Sequence, residues 1–332
     1  MLIYWLADVN YEEGIVLMIN KRLIREVDSS MKYVRLTVLC QWGMLVLNIA
    51  LIAAVAMLLE DIIRQESIPA AQAAATIVLA LIVIWGRWAL CRLSARFSDS
   101  ASREVKQKLR GRIYRKLLEL GSGYREHVST SEIVQVSVEG VDQLETYFSS
   151  YLPQFFYAMI APLTLFFFTL FLNWKAALVL FICVPLIPIA IAAVQTFAKK
   201  LLSRYWGQYT ALGDHFLENL QGLTTLKIYQ ADEARQEVMR TEAEKFRRIT
   251  MKVLTMQLNS ITIMDLVAFG GAALGIGIAL MEFQHHALSV AGCLMFILLS
   301  AEFFIPMRTL GSFFHIAMNG MAASDKIFRL ID

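Results

Sequence analysis

The chain has 332 residues, of which 57% are hydrophobic and 18% charged, with a net charge of +3 and a mean hydropathy of +0.54. A soluble domain of this length would carry more charge, so these values exclude an ordinary water-soluble globular enzyme. The small positive excess reports membrane orientation and anionic headgroups, not a nucleic-acid surface.

Residues 1–17 read as an N-terminal extension outside the fold. Their short apolar stretch has no basic residues before it, so they do not form a cleavable signal peptide. Met18 is the expected initiator, because Glu12-Glu13-Gly14 must be encoded by a purine-rich run resembling a bacterial ribosome-binding site just upstream of its codon. An intact mass beginning at Met1 would overturn that expectation.

Six apolar runs follow, at 34–59, 73–88, 152–172, 176–197, 256–281 and 288–310. Crossing a hydrocarbon core of about 30 Å takes ~20 helical residues, so the runs predict an all-α membrane protein with six transmembrane helices. Basic residues number five through Arg35, then Arg64 alone, eleven from Arg87 to Arg125, Lys175 alone, ten from Lys199 to Lys252, none between the fifth and sixth runs, and three from Arg308 onward. This alternation predicts that both termini are cytoplasmic.

The outer connections are short, Asn173-Trp174 above all, whereas the inner connections 89–151 and 198–255 are long. In the first, Val105, Leu109, Ile113, Leu117 and Leu120 recur every three or four residues among basic ones, the pattern of an amphipathic helix over 92–120. Such a helix projects ~40 Å past the bilayer, and Gly121-Ser122-Gly123 ends it. A capping box follows, in which Ser129 caps a short helix and Glu132 reaches back to the cap amide. The second inner connection descends from Phe197 to a tip at Gln221-Gly222-Leu223-Thr224-Thr225-Leu226-Lys227 and returns through the charged run from Glu233 to Lys252. Two helical hairpins with polar tips therefore hang below the membrane, as gripping points for something soluble or as solvated hairpins.

Cys40, Cys91, Cys183 and Cys293 lie in or beside the runs, with no CxxC or Cys/His spacing, and are expected to be buried small apolar residues that bind no metal. His285-His286 is either polar punctuation in an outer turn or a metal or haem contact. Gly271 and Gly275 form a GxxxG that favours close helix packing. Pro185, Pro188 and Pro306 are expected to kink their helices.

The pattern resembles the transmembrane domain of an ABC exporter with six helices and long intracellular loops, from about Met18 to Asp332. The most similar subgroup is the CydD-type subunit of heterodimeric CydDC exporters, needed for cytochrome bd assembly. The matching stretches are Tyr151-Leu152-Pro153-Gln154, Asn173-Trp174-Lys175-Ala176-Ala177-Leu178, Pro185-Leu186-Ile187-Pro188, the second tip, and above all Ala301-Glu302-Phe303-Phe304-Ile305-Pro306-Met307-Arg308-Thr309-Leu310-Gly311-Ser312-Phe313-Phe314-His315. Ser131 stands where many exporters have glycine, and the connection between the fifth and sixth runs is unusually short.

The resemblance implies two coupling helices, Ser129, Thr130, Ser131, Glu132 and Ile133 at one tip and Gln221 to Lys227 at the other, docking on nucleotide-binding domains. It also implies a CydC-like partner in a heterodimer, a bacterial inner-membrane location, and either thiols such as glutathione and cysteine or haem as cargo. Export of lipid, peptide or drug, or a non-transporting scaffold, are the alternatives. No GxxxxGK[ST] phosphate loop occurs in the sequence, so the chain is expected to hold no cofactor itself, with ATP and Mg bound by a nucleotide-binding domain beyond residue 332. Truncation, a split gene or an isolated half would each account for this.

Ionisable residues inside spans are functional candidates because they are costly there. Asp265, Glu302 and Arg308 qualify, with His315 near the inner end. At 100° per residue, Arg308, Gly311 and His315 share one face of the sixth helix, a place for a carboxylate-bearing ligand. His315 can also ligate haem iron. Equally, Arg308 pairs with Asp265 or Glu302 as structural glue, or snorkels to the inner surface, and His315 is structural.

Overall fold

A computed structural model describes residues 22–23, 28–64, 70–121, 123, 133–134, 136–190, 201, 204–205, 208, 212–213, 215–216 and 218–331. The chain divides into two compact units, one of residues 1–186 with 268–332 and the other of residues 187–267. Every regular element among the described residues is helical.

The first helices are α1 (Asp28–Ile63) and α2 (Ala70–Leu120), which pack along each other as an antiparallel pair. At 1.5 Å per residue the 51 residues of α2 span about 76 Å, so the second apolar run and the basic arm beyond it are one continuous helix. Its apolar part exposes Ile77, Leu81, Ile84 and Trp85, the composition that lipid tolerates. The arm buries Val105, Leu109 and Ile113 of the predicted stripe, all at or below 2% exposure, and leaves Leu117 and Leu120 half-buried. Each buried side chain contributes about 1.5–3 kcal/mol relative to full exposure. Gly121 then ends the helix at φ 57, a conformation that costs a β-carbon dearly.

Helical structure next runs from Val136 to Leu170. Two π-helical stretches, Val136–Gly140 and Tyr147–Tyr151, flank α3 (Val141–Thr146), and α4 (Leu152–Leu170) completes the run. Asn173 turns the chain and caps α5 (Trp174–Cys183), accepting from the amides of Lys175 (3.0 Å) and Ala176 (3.1 Å). A turn at Val184-Pro185 interrupts the apolar helix, which resumes to Ala190. Pro188 lacks the N–H that would bond the Val184 carbonyl, which is the physical reason for the expected kink.

Further helices are α6 (Leu223–Ile228), α7 (Asp232–Gln284), α8 (Val290–Ser312) and α9 (Phe314–Ile331). Ser289 caps α8 by accepting from the Gly292 amide at 3.0 Å, and Glu60 on α1 accepts from the Ala291 amide at 3.1 Å. A carboxylate at this end also complements the helix dipole. α8 packs against α4 and α1, with Phe296 and Phe303 fully buried.

Among the described residues, five helices are long and apolar enough to cross a membrane, at 29–63, 71–120, 136–170, 232–284 and 290–312. The expected fourth span is the shorter apolar helix Trp174–Ala190, and its remainder, 191–197, lies outside the described residues. At the base of the first unit, Val34, Val105, Ile133, Leu144, Tyr147 and Ile327 share one apolar cluster that ties α1, α2, α3 and α9 together. Gly320 lets α9 approach so closely that a Cβ there would sit 3.0 Å from Tyr147 Cβ.

Candidate functional site

Two polar residues share one face of α1. Gln41, Met44, Leu45 and Asn48 stand at i, i+3, i+4 and i+7, one face of a helix, and all four line a cavity of about 170 Å³ together with Arg87 of α2, Tyr157 of α4 and Glu302 of α8. Asn48 bridges the two charges. Its Nδ2 donates to Glu302 Oε1 at 3.0 Å, and its Oδ1 accepts from an Arg87 guanidinium N–H at 3.0 Å. Gln41 Oε1 is buried with no hydrogen-bond partner among the described residues. Pro306, one turn below Glu302, has no N–H to offer the Glu302 carbonyl.

Of the residues expected in the pathway, Glu302 is therefore in a polar site, but its neighbours are Asn48 and Arg87. Arg308 lies with its guanidinium 5.9 Å from the Phe269 ring centroid, the outer limit of a cation–π contact. Asp265 is carried by α7 in the second unit. The expected common face of Arg308, Gly311 and His315 does not follow one helix: α8 ends at Ser312 and α9 begins at Phe314, with Phe313 between them as the cap. The side chain of His315 lies outside the described residues.

Arg87, Asn48, Gln41 and Tyr157 did not stand out in the sequence. The signals were there: Arg87 falls inside the second apolar run, although the charge count assigns it to the inner loop, and Gln41 and Asn48 are polar residues seven apart in an apolar helix.

The GxxxG glycines serve packing, as expected. A Cβ at Gly271 would stand 2.7 Å from the Phe304 ring and 3.0 Å from Cys183 Cβ. His286 adopts φ 58 and closes the end of α7, with the Ala287 amide donating to the Glu282 carbonyl (3.0 Å) and the His286 amide to the Phe283 carbonyl (3.0 Å), a Schellman arrangement. No group of three or more His, Cys, Asp or Glu is placed to hold a metal among the described residues. Cys40, Cys183 and Cys293 are buried, whereas Cys91 is exposed on α2 and departs from expectation.

At the first tip, Ser129, Thr130, Ser131 and Glu132 lie outside the described residues, while Ile133 is buried in the basal cluster. Above it, Lys106 on the α2 arm bonds Glu145 at 2.5 Å and Asp142 at 3.2 Å. The hydrogen bond to Glu145, reinforced by Asp142, holds the Lys106 ammonium above the usual lysine range. At the second tip, α6 buries none of its residues, and Leu223, Ile228 and Tyr229 are exposed by 52%, 73% and 77%. Gln230 closes that tip at φ 51, with the Ala231 amide donating to the Leu226 carbonyl at 2.9 Å. Lys227 donates to Asp232, and that bond holds the Asp232 carboxyl below the usual carboxylate range.

A family profile described as the ABC transporter transmembrane region matches residues 34–307. Among individual proteins, the chain is 60% identical over 239 residues to a Haemophilus influenzae protein described as an uncharacterized ABC transporter ATP-binding protein, covering 72% of this chain and 43% of that one. It is 30% identical over 290 residues to the transport ATP-binding protein AarD of Providencia stuartii (83% and 48%). It is 29% identical over 284 residues to the glutathione/L-cysteine transport system ATP-binding/permease protein CydD of Escherichia coli (82% and 46%). The chain thus spans a little under half the length of these curated relatives.

Proposed function

The chain belongs to the ABC transporter transmembrane family, and we propose that it is the membrane-spanning half of an ATP-driven, CydD-like exporter of small thiols, glutathione or L-cysteine. In this reading it works in the bacterial inner membrane with both termini cytoplasmic, paired with a CydC-like half-transporter, and serves cytochrome bd assembly. The observation that carries it is the Arg87, Asn48 and Glu302 row within the apolar helices. Charged groups there are expensive and are retained where a polar solute passes, which favours a small polar cargo over lipid.

Energy enters through the tips. The exposed Leu223, Ile228 and Tyr229 at the second tip suit a docking contact with a nucleotide-binding domain, with Ser129 to Ile133 as the other contact. ATP and Mg bind in that domain. Its closure would be passed up the long helices to switch the spans between inward and outward opening.

ATPase activity of the assembled transporter in lipid nanodiscs, titrated separately with glutathione, L-cysteine and haem, tests the reading. Stimulation by thiols that is indifferent to His315→Ala is expected. Stimulation by haem alone, abolished by His315→Ala, would transfer the cargo to haem, whose iron a histidine can ligate.

A further inference from the structure

Arg87, Asn48 and Glu302 come from three different helices, α2, α1 and α8, and meet in one row. Arginine only donates and a carboxylate only accepts, so the orientation of the Asn48 amide is dictated by its partners. Opposite charges attract, yet here a neutral amide stands between the cation and the anion, with the Arg87 end of the row exposed. Its oxygen faces the cation and its N–H faces the anion, the same polarity that a zwitterion would present.

We infer that this row is a recognition site for an α-ammonium-carboxylate head, with the Arg87 guanidinium taking the carboxylate and the Glu302 carboxylate taking the ammonium. The inference rests on the thiol-export reading and names the part of those thiols that is held, their amino-acid head. Two hydrogen bonds of 3.0 Å each and the width of one amide separate the charged atoms by at most about 8 Å, the span that one such head fills with a hydrogen bond at each end. The ligand head takes the place of the Asn48 bridge, and Asn48 turns aside.

Gln41 supplies a third point. Gln41 lines the same cavity, its Oε1 is buried without a hydrogen-bond partner among the described residues, and an ammonium has three N–H groups to place. Size agrees as well. A cavity of about 170 Å³ is smaller than the ~300–1,000 Å³ that encloses a drug-sized molecule. It admits the head of L-cysteine or the γ-glutamyl head of glutathione, with the rest of the tripeptide outside.

The test is calorimetric binding to the assembled transporter in nanodiscs with four probes: L-cysteine, L-serine (head without thiol), cysteamine (no carboxylate) and mercaptopropionate (no ammonium). The two head-bearing probes are expected to bind at least ten-fold more tightly than the other two. Arg87→Gln should erase the preference for L-cysteine over cysteamine and keep that over mercaptopropionate, and Glu302→Gln should do the reverse. A residue that only supports the fold would weaken all four probes alike. Equal binding of the four probes to the unaltered protein, or no binding of the head-bearing pair, overturns the inference without recourse to any variant. Parallel uptake of labelled L-cysteine into inside-out vesicles separates the two readings: loss of thiol uptake with the head preference intact removes the cargo assignment and leaves the site standing.

Discussion

Gly275 on α7 and Leu180 on α5 touch so closely that a Cβ on the glycine would lie 2.3 Å from a Leu180 methyl carbon. No side chain fits there unless the Leu180 side chain or its helix moves. Gly275→Val is expected to destabilise the protein by about 1–3 kcal/mol, the usual cost of overpacking. Gly277, two residues on, has nothing within 4 Å of its would-be Cβ, so Gly277→Ala should be neutral or stabilising by up to ~1 kcal/mol through helix propensity. Thermal unfolding in detergent compares the two, and equal losses would show that the close approach is not what Gly275 provides.

The tip of the second hairpin stores strain at Gln230, a non-glycine residue at φ 51. Glycine tolerates that conformation, whereas a β-carbon there costs roughly 1–2 kcal/mol, partly offset by the entropy glycine loses on folding. Gln230→Gly should therefore protect the Ala231 amide, which bonds the Leu226 carbonyl, by a few-fold in hydrogen exchange. Faster exchange would mean that the Gln230 side chain itself holds the turn.

At the outer turn, Asn173 does two things at once. It caps α5 through two backbone amides, and its Nδ2 donates to Glu282 Oε2 at 3.1 Å, beside the Lys175 ammonium on Glu282 Oε1 at 2.8 Å. Asn173→Ala is expected to cost about 1–2 kcal/mol. Asn173→Asp keeps the cap but sets a carboxylate against Glu282, so its loss should shrink as pH falls and the carboxyls protonate. An unfolding midpoint for Asn173→Asp that does not change with pH would argue against the Glu282 contact.

Much of this architecture could be read from the chain because lipid and water impose opposite demands at known periods. Uncharged runs had to be helices, and Val105, Leu109 and Ile113, spaced by four among basic residues, had to face a core. The polar row was harder. Arg87 sits at the end of an apolar run, where a count of basic residues naturally assigns it to the loop, and nothing in the sequence pairs it with Asn48 or with Glu302, which is 254 positions beyond Asn48. Only helix packing brings the three together. The expected common face of Arg308, Gly311 and His315 crosses the turn at Phe313 that separates α8 from α9, and the side chain of His315 lies outside the described residues.

Gln154, 8% exposed on α4, donates from Nε2 to the Pro306 carbonyl on α8 at 2.9 Å, a cross-link between the third and sixth spans one turn below Glu302. Gln154→Met keeps the volume and removes the donor. A carbonyl within a helix still has its own N–H partner one turn on, so no group is stranded, and the loss should be about 1 kcal/mol. Gln154→Glu is the sharper test. An ionised carboxylate in that position would face a carbonyl with no proton between them, so its charged form is disfavoured there. Raising pH then costs stability. The Gln154→Glu variant should approach the parent near pH 5, where the protonated carboxyl can donate to Pro306, and fall below Gln154→Met near pH 8. Unfolding curves at the two pH values decide it, and a Gln154→Glu midpoint that tracks the parent at both would mean that the side chain has turned away from α8.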